Sequence, residues 1–594
     1  MISNRRIPIG DYGLIGDTRT AALVAIDGSI DWMCLPRFDS PPVFGRLVGG
    51  EEAGRFVVGP DEPATVVTRG YRQDTATLET TWTVDGASIT LADSMVGEVT
   101  ESMLPDSMLV RRITGQGRPI RIRVEISPRF GYDRRPARRV RRQNGSLIID
   151  HGGIALAFTS DAAVQLTPDR PTILEVTPDR PVTVVMSAAH RGPLLLVPPS
   201  VAVEKAERDE IRWQRWTDTL ITGPHHRQAM VRSLITLQLL TYSPSGAPVA
   251  APTTSLPETV GGSRNWDYRY AWPRDASLGI SALLAAGKDR EALGFLAWLL
   301  HASRLDRPRL PAMFTLHGRP VPHERDLKGW PGYADSTPVR VGNGARTQHQ
   351  LDGYGWVLEA AWQLTRRSHH LDSETWRTIR AFADHITRIW MEPDAGIWER
   401  RDAPRHHVHS KLMAWLALDR AIRIAEKRGW SSRQLTVWRG SRKLLREEIS
   451  VRGFDPDIGS YTAAYGSDDL DAAVLLLTWT GFEPRDSPRI VSSIGAIRNR
   501  LGAGGPLLYR YRGQDGLLGN EGAFLPCSFW LVQALAQTDQ RAQAETLFEE
   551  LLEYGGQLGL YGEEMDPNTH QYLGNFPQAL THSALLQAAT SLNH

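Results

Sequence analysis

The hydrophobic period of this chain changes once along its length, and that change limits what the chain can fold into. From about residue 55 to 190, apolar side chains recur at every second position in short runs broken by Gly and Pro, as in TLETTWTV, ASITLADSM and IRIRVEISP. Such runs read as strands of an antiparallel sandwich. Beyond about residue 200 the period becomes 3.6, the spacing of helices with one apolar stripe. The charged segment KAERDEIRWQRW reads as a helical connector. Helices are then expected near 226–242, 275–286, 290–303, 348–366, 373–390, 409–426, 432–448, 469–479, 488–501, 527–537, 540–553 and 577–592. Twelve helices make six hairpins, which can close into a ring with a site lined by the loops at one end.

Charge and cysteine usage exclude several classes. The 594 residues carry 68 basic and 67 acidic side chains, a net charge of +1, whereas nucleic-acid and membrane-surface binders need a basic excess. The two cysteines, Cys34 and Cys527, cannot form a disulfide framework or a four-cysteine zinc site. The N-terminal MISNRRIPIG has no apolar leader, and no run approaches a membrane span, so a cytoplasmic location is expected. The Arg-rich stretch between Arg134 and Arg142 reads as a solvated hairpin. His406, His407 and His409 read as a polar loop, because no second ligand group has zinc spacing.

Three segments concentrate chemistry. SRNWDYRYAWPRDAS (263–277) places Trp266, Tyr268, Tyr270 and Trp272 before Arg274 and Asp275 at the mouth of a helix. An adjacent Arg and Asp can bracket sugar hydroxyls, one donating and one accepting, while indole faces stack on C–H bonds. In GIWERRD, Glu399 follows Trp398; an indole against a carboxyl raises its pKa, as a general acid requires, yet a solvated Glu paired with Arg400 or Arg401 fits equally well. In GEEMDPNTH, Glu563 and Glu564 sit on a Gly-rich loop without the spaced oxygen ligands of a calcium loop, which leaves a general base and a solvated turn both open. The long irregular stretch 304–347, dense in Trp, Tyr, His and Arg, reads as part of a site.

Seven segments resemble bacterial glycoside hydrolase family 15, in the family's order and nearly end to end. They are DYGLIGDTRTAALVAIDGSIDWMCLPRFDSPPVFGRL, APTTSLPETVGGSRNWDYRYAWPRD, TPVRVGN, GIWERR, SKLMAWLALDRA, GNEGAFLPCSFW and GEEMDPNTHQYLGNFPQALTHSA. The resemblance implies a mixed α and β chain of two domains. An N-terminal antiparallel β-sandwich (1–205) and a helical linker (206–225) would precede a catalytic (α/α)6 barrel (226–594). It implies an inverting hydrolase releasing β-D-glucose from non-reducing ends, with Glu399 as general acid and Glu563 as general base. Tyr268 would position the water, while Trp272, Arg274, Asp275 and Trp398 would hold the terminal glucose. Fungal glucoamylases carry a second Glu directly after the acid, where this chain has Arg400; that departure weakens a preference for long maltodextrins.

The expected substrates are short α-linked gluco-oligosaccharides of the maltose or isomaltose kind, with α,α-trehalose as the alternative. Trp330, Glu324 and Asp335 of the long loop are candidate contacts to the leaving sugar, together with Arg400. Asp275 and Glu564 are candidates to stabilise oxocarbenium charge. A glycoside phosphorylase, which needs one acid and phosphate instead of water, is the alternative of another class, and a non-catalytic sugar binder is a third. No metal or organic cofactor, nucleic acid or membrane partner is expected.

Overall fold

The computed structural model describes residues 6–97, 104–367, 371–513, 515–517 and 519–593; the first five residues of the MISNRRIPIG stretch lie outside it. Two antiparallel sheets form the N-terminal sandwich. One runs Gly13–Gly16, Ala21–Val24, Ser29–Cys34, Arg55–Pro60, Ile120–Ser127, Thr172–Val176, with Pro42–Phe44 beside Ser29–Cys34. The other runs Arg139–Gln143, Ser146–His151, Ile154–Ser160, Val182–His190, Ser107–Gln116, Ala87–Met95, Leu78–Val84, Thr65–Tyr71. Leu78–Val84 alternates buried and part-exposed positions, as its period-2 sequence requires. The strands between residues 13 and 44 are buried on both faces and carry no alternation, so the period-2 reading does not reach them. Arg111 joins the two sheets. Its fully buried guanidinium pairs with Asp93 and donates to the carbonyls of Phe56 and Gly28 in the facing sheet.

The connector helix α1 (Pro199–Asp218) starts at a proline, whose fixed φ suits a first turn, and lies on strands Ser107–Gln116 and Val182–His190. The remaining helices are α2 (Arg227–Leu239), α3 (Pro273–Ala285), α4 (Asp289–Ala302), α5 (Asp352–Arg366), α6 (Ser373–Ile389), α7 (Val408–Lys427) and α8 (Arg433–Arg452). They continue with α9 (Leu477–Thr480), α10 (Pro488–Leu501), α11 (Leu525–Gln537), α12 (Arg541–Tyr554) and α13 (Ala579–Asn593). Inner helices α3, α5, α7, α9, α11 and α13 contact one another in a closed ring, with the others outside, which is the (α/α)6 barrel.

The expected helix 469–479 departs from regular geometry. It is a 3-10 turn (Ala472–Leu476) followed by the single α turn of α9, stopped by Gly481 in the left-handed region. Inner helices touch closely where small residues allow it. A Cβ on Gly355 of α5 would stand 2.5 Å from the Met413 carbonyl of α7. His409 lies within α7 against Trp356 and is buried, not part of a polar loop, and burial holds its pKa down at about 3. Arg139, Arg141 and Arg142 do sit on an exposed hairpin. Among the described residues no helix is long and apolar enough to cross a membrane.

Candidate active site

Chain segments entering the inner helices build one cavity. Trp272, Arg274 and Asp275 open α3, Phe524 precedes α11, and Gln578 and Leu580 open α13. These join Trp266, Tyr268, Trp398 and Glu399 around a hollow of about 690 Å³ that opens to solvent. The sandwich braces the 263–277 segment. Fully buried Arg269 pairs with Asp267 and donates to the Ser40 carbonyl at 2.8 Å and the Tyr132 hydroxyl at 3.0 Å. Trp32 of the sandwich donates to the Pro252 carbonyl at 2.7 Å.

Glu399 occupies one side of the cavity, its side chain 18% exposed. Trp272 Nε1 donates to its Oε1 at 2.6 Å, and Arg274 Nη2 stands 3.7 Å from the same oxygen. Arg274 also donates to the Ile397 carbonyl at 2.6 Å and to Asp275 at 3.2 Å, tying α3 to the Glu399 turn. Burial raises the Glu399 pKa, opposed by Arg274 and by the Trp272 hydrogen bond. Its backbone has φ +57°, a left-handed conformation that strains a glutamate by about 1–2 kcal/mol. Gln348 holds it there by donating to the carbonyls of Glu399 and Arg400.

Glu563 lies behind the ring of Tyr268. It is 1% exposed and does not itself line the hollow, but Tyr268, which does, donates to its Oε1 at 2.7 Å. The Asn575 amide donates to Oε2. Gly574 makes room for this carboxyl: a Cβ there would stand 2.4 Å from Oε2, at a φ of +70°. Burial pushes the Glu563 pKa up to about 7, against the Tyr268 hydrogen bond and Arg510.

Further acids share two cations here, Arg510 and Arg264. Arg510 pairs with Glu521 at 2.7 Å and Glu258 at 3.4 Å, and stands 4.0 Å from Glu564. Arg264 pairs with Asp515 at 2.7 Å and with Glu521. Burial lifts Glu258 to about 8 and Glu564 well above the carboxylate range. With more buried carboxyls than guanidinium groups, some of them must hold protons. Among the described residues no group of three or more His, Cys, Asp or Glu side chains is arranged to hold a metal ion.

Tyr268, Trp272, Arg274, Asp275, Trp398 and Glu399 therefore meet at one cavity. Trp398 is fixed by hydrogen bonds from Nε1 to both oxygens of Asp471, at 2.8 and 2.9 Å. Glu564 lies below, with its Oε2 accepting from the Gly522 amide. Four expected contacts stand elsewhere. Trp330 is buried between loop and sandwich, donating to the Tyr132 carbonyl. Asp335 is 86% exposed beside Arg6. Arg400 turns away to Asp402 and the Tyr511 ring. Glu324 is one step removed, holding Arg401 at 2.6 Å.

Arg401, not Arg400, reaches the cavity, with its guanidinium 4.2 Å from the centre of the Trp266 ring. Of the residues the sequence reading left out, Trp266 lay within a quoted aromatic run. Glu258 lay within one of the segments that carry the resemblance, whereas Arg510 and Asp515 carried no local signal.

The sequence profile described as glycosyl hydrolases family 15 matches residues 224–590, and that of a trehalase-like N-terminal domain matches residues 1–165. The chain belongs to glycosyl hydrolases family 15 and is a glycoside hydrolase. A trehalase of Mycolicibacterium smegmatis is 35% identical over 619 residues, covering 98% of this chain and 90% of that protein. A trehalase of Thermoplasma volcanium is 32% identical over 586 residues, covering 98% and 93%. Among solved structures, a bacterial glucoamylase complexed with acarbose superposes with a TM-score of 0.72 at 13% identity, covering 99% of this chain and 94% of that one, a likeness of fold.

Proposed function

We propose that this chain hydrolyses α,α-trehalose with inversion at one anomeric carbon. One observation carries the chemistry: Glu399 and Glu563 each accept a hydrogen bond from one of two touching aromatic side chains of the same wall, Trp272 and Tyr268. Protonated Glu399 donates to the glycosidic oxygen as the C1–O bond breaks. Ionised Glu563 takes a proton from the attacking water, which Tyr268 helps hold, as that water's oxygen bonds C1 from the other face. Arg274 and Asp275 grip the hydroxyls of the glucose being cleaved, and Trp272 and Trp398 supply apolar walls. Asp275 also sits where it can balance oxocarbenium charge. Arg401 with Trp266 replaces Arg400, Trp330 and Asp335 as the contact for the leaving sugar. The reaction uses side chains and water alone.

The relatives' names favour trehalose over the maltose and isomaltose kind, because both trehalases align with nearly the whole chain, sandwich included. Inversion gives a specific product ratio. Water delivers one glucose as the β-anomer, while the leaving glucose keeps its α configuration. Fresh trehalose hydrolysate followed by proton NMR is expected to show equal α and β signals before mutarotation. Only α-glucose would rule out inversion. Faster cleavage of maltose or isomaltose than of trehalose would overturn the substrate. Release of glucose 1-phosphate that depends on added phosphate would replace hydrolysis by phosphorolysis.

A further inference from the structure

The turn that carries Glu399 is held from outside itself. Its own closures are long: the Glu399 amide donates to the Gly396 carbonyl at 3.3 Å and the Arg400 amide to the Ala395 carbonyl at 3.2 Å. Asp471 fixes the Trp398 indole, and Arg274 fixes the Ile397 carbonyl. Where the chain turns left-handed, the carbonyls of Glu399 and Arg400 both accept from one atom, Gln348 Nε2, at 3.1 and 3.0 Å.

Gln348 lies on the segment that enters α5, and that segment runs beside the turn. The Ala395 amide donates to the His349 carbonyl at 3.0 Å, and the Leu351 amide donates to Asp394 at 3.0 Å. Buried Gln350 donates to Gln348 Oε1 at 3.1 Å, which sets the NH₂ end of the amide toward the turn. Two neighbouring carbonyls ask for two hydrogens on one nitrogen, and a neutral amide supplies them. A carboxylate would oppose oxygen to oxygen, while a lysine would add a cation beside Arg400 and Arg401. Gln348 is half-buried and does not line the reacting cavity; it faces a separate hollow with Asp394, Arg400 and Asp402. Its influence on the reaction therefore passes through the turn.

We propose that Gln348 is a positioning residue for the proton donor, holding the peptide after Glu399 so that the carboxyl stays against Trp272 inside the cavity. The inference rests on the reading of Glu399 as general acid. The test uses the full chain with Gln348→Met, which keeps a long side chain and removes both hydrogens, and compares two substrates. Trehalose needs a proton on its leaving oxygen, whereas α-D-glucosyl fluoride releases fluoride without one as water adds to C1. For trehalose, kcat is expected to fall about a hundredfold with KM within about twofold, while hydrolysis of the fluoride stays within about threefold of native. Gln348→Leu is expected to give the same split. Glu399→Gln is expected to separate the substrates in the same direction, and adding Gln348→Met to it to lower trehalose turnover by less than about twofold further. Native-like trehalose turnover in Gln348→Met overturns the proposal. So does equal loss on both substrates in Gln348→Met while Glu399→Gln separates them, which leaves Gln348 a structural role. Equal loss on both in Glu399→Gln itself removes the proton-donor reading, and the proposal with it.

Discussion

Tyr268 and Trp272 meet edge to face with ring centres 5.5 Å apart, and each directs its one polar hydrogen to a different carboxyl. The two residues are four apart in sequence, on a segment braced by the sandwich through Arg269. One rigid stretch of chain therefore sets the mutual position of Glu399 and Glu563.

Removing either carboxyl should abolish turnover without unfolding the chain. Glu399→Gln and Glu563→Gln are each expected to lower kcat by about three orders of magnitude or more, at an unchanged circular dichroism spectrum. Near-native turnover in either variant would withdraw that residue from the reaction.

Tyr268→Phe deletes the hydrogen bond that lowers the Glu563 pKa. The Glu563 carboxyl then holds its proton to higher pH, so the pH–rate profile is expected to move upward, with kcat reduced about tenfold to a hundredfold. A profile fixed in position would mean that the phenol does not act through Glu563.

Glu563 also links stability to pH. Its folded pKa of about 7 stands above the ordinary carboxylate value, so the folded state favours the protonated form. This contribution is complete below the unfolded pKa and is lost as pH rises through about 7. Glu563→Gln, which stays neutral, is therefore expected to melt higher than the native chain at pH 8 and close to it at pH 4. A difference in Tm that does not vary with pH would contradict this.

Arg401→Ala opens the cavity beside Trp266 and leaves the Arg274–Asp275 pair in place. KM for the disaccharide is expected to rise about tenfold while inhibition by glucose is little changed. Equal weakening of both would place Arg401 against the glucose being cleaved.

In the sandwich, Asp93→Ala leaves Arg111 buried and unpaired, a loss of about 3–5 kcal/mol. Denaturant unfolding is expected to show it, and the double change Asp93→Leu with Arg111→Met to recover much of it.

Much of this architecture is readable from periodicity, because each barrel helix buries one stripe and each outer sandwich strand one face. The signal fails where burial is two-sided, as in Gly13–Gly16 and Ser29–Cys34, whose apolar runs lack alternation. It fails again at Asp471, which caps a 3-10 turn and anchors Trp398 where a plain helix was expected. Within the site, the aromatic run and the two acidic motifs point to the residues that meet. The choice between Arg400 and Arg401 does not, since the left-handed backbone at Glu399 redirects the chain and sends the later arginine inward. Glu258 and Arg510 acquire meaning only when loops far apart in sequence converge.

The left-handed backbone at position 399 has an evolutionary side. Glycine or asparagine would hold that conformation with less strain than glutamate does. A lineage released from the need for turnover would gain robustness by discarding the acid, and its idle descendants would outlast their working ancestors on heating. On the proposed mechanism, selection for the reaction keeps a glutamate there against the strain of its backbone.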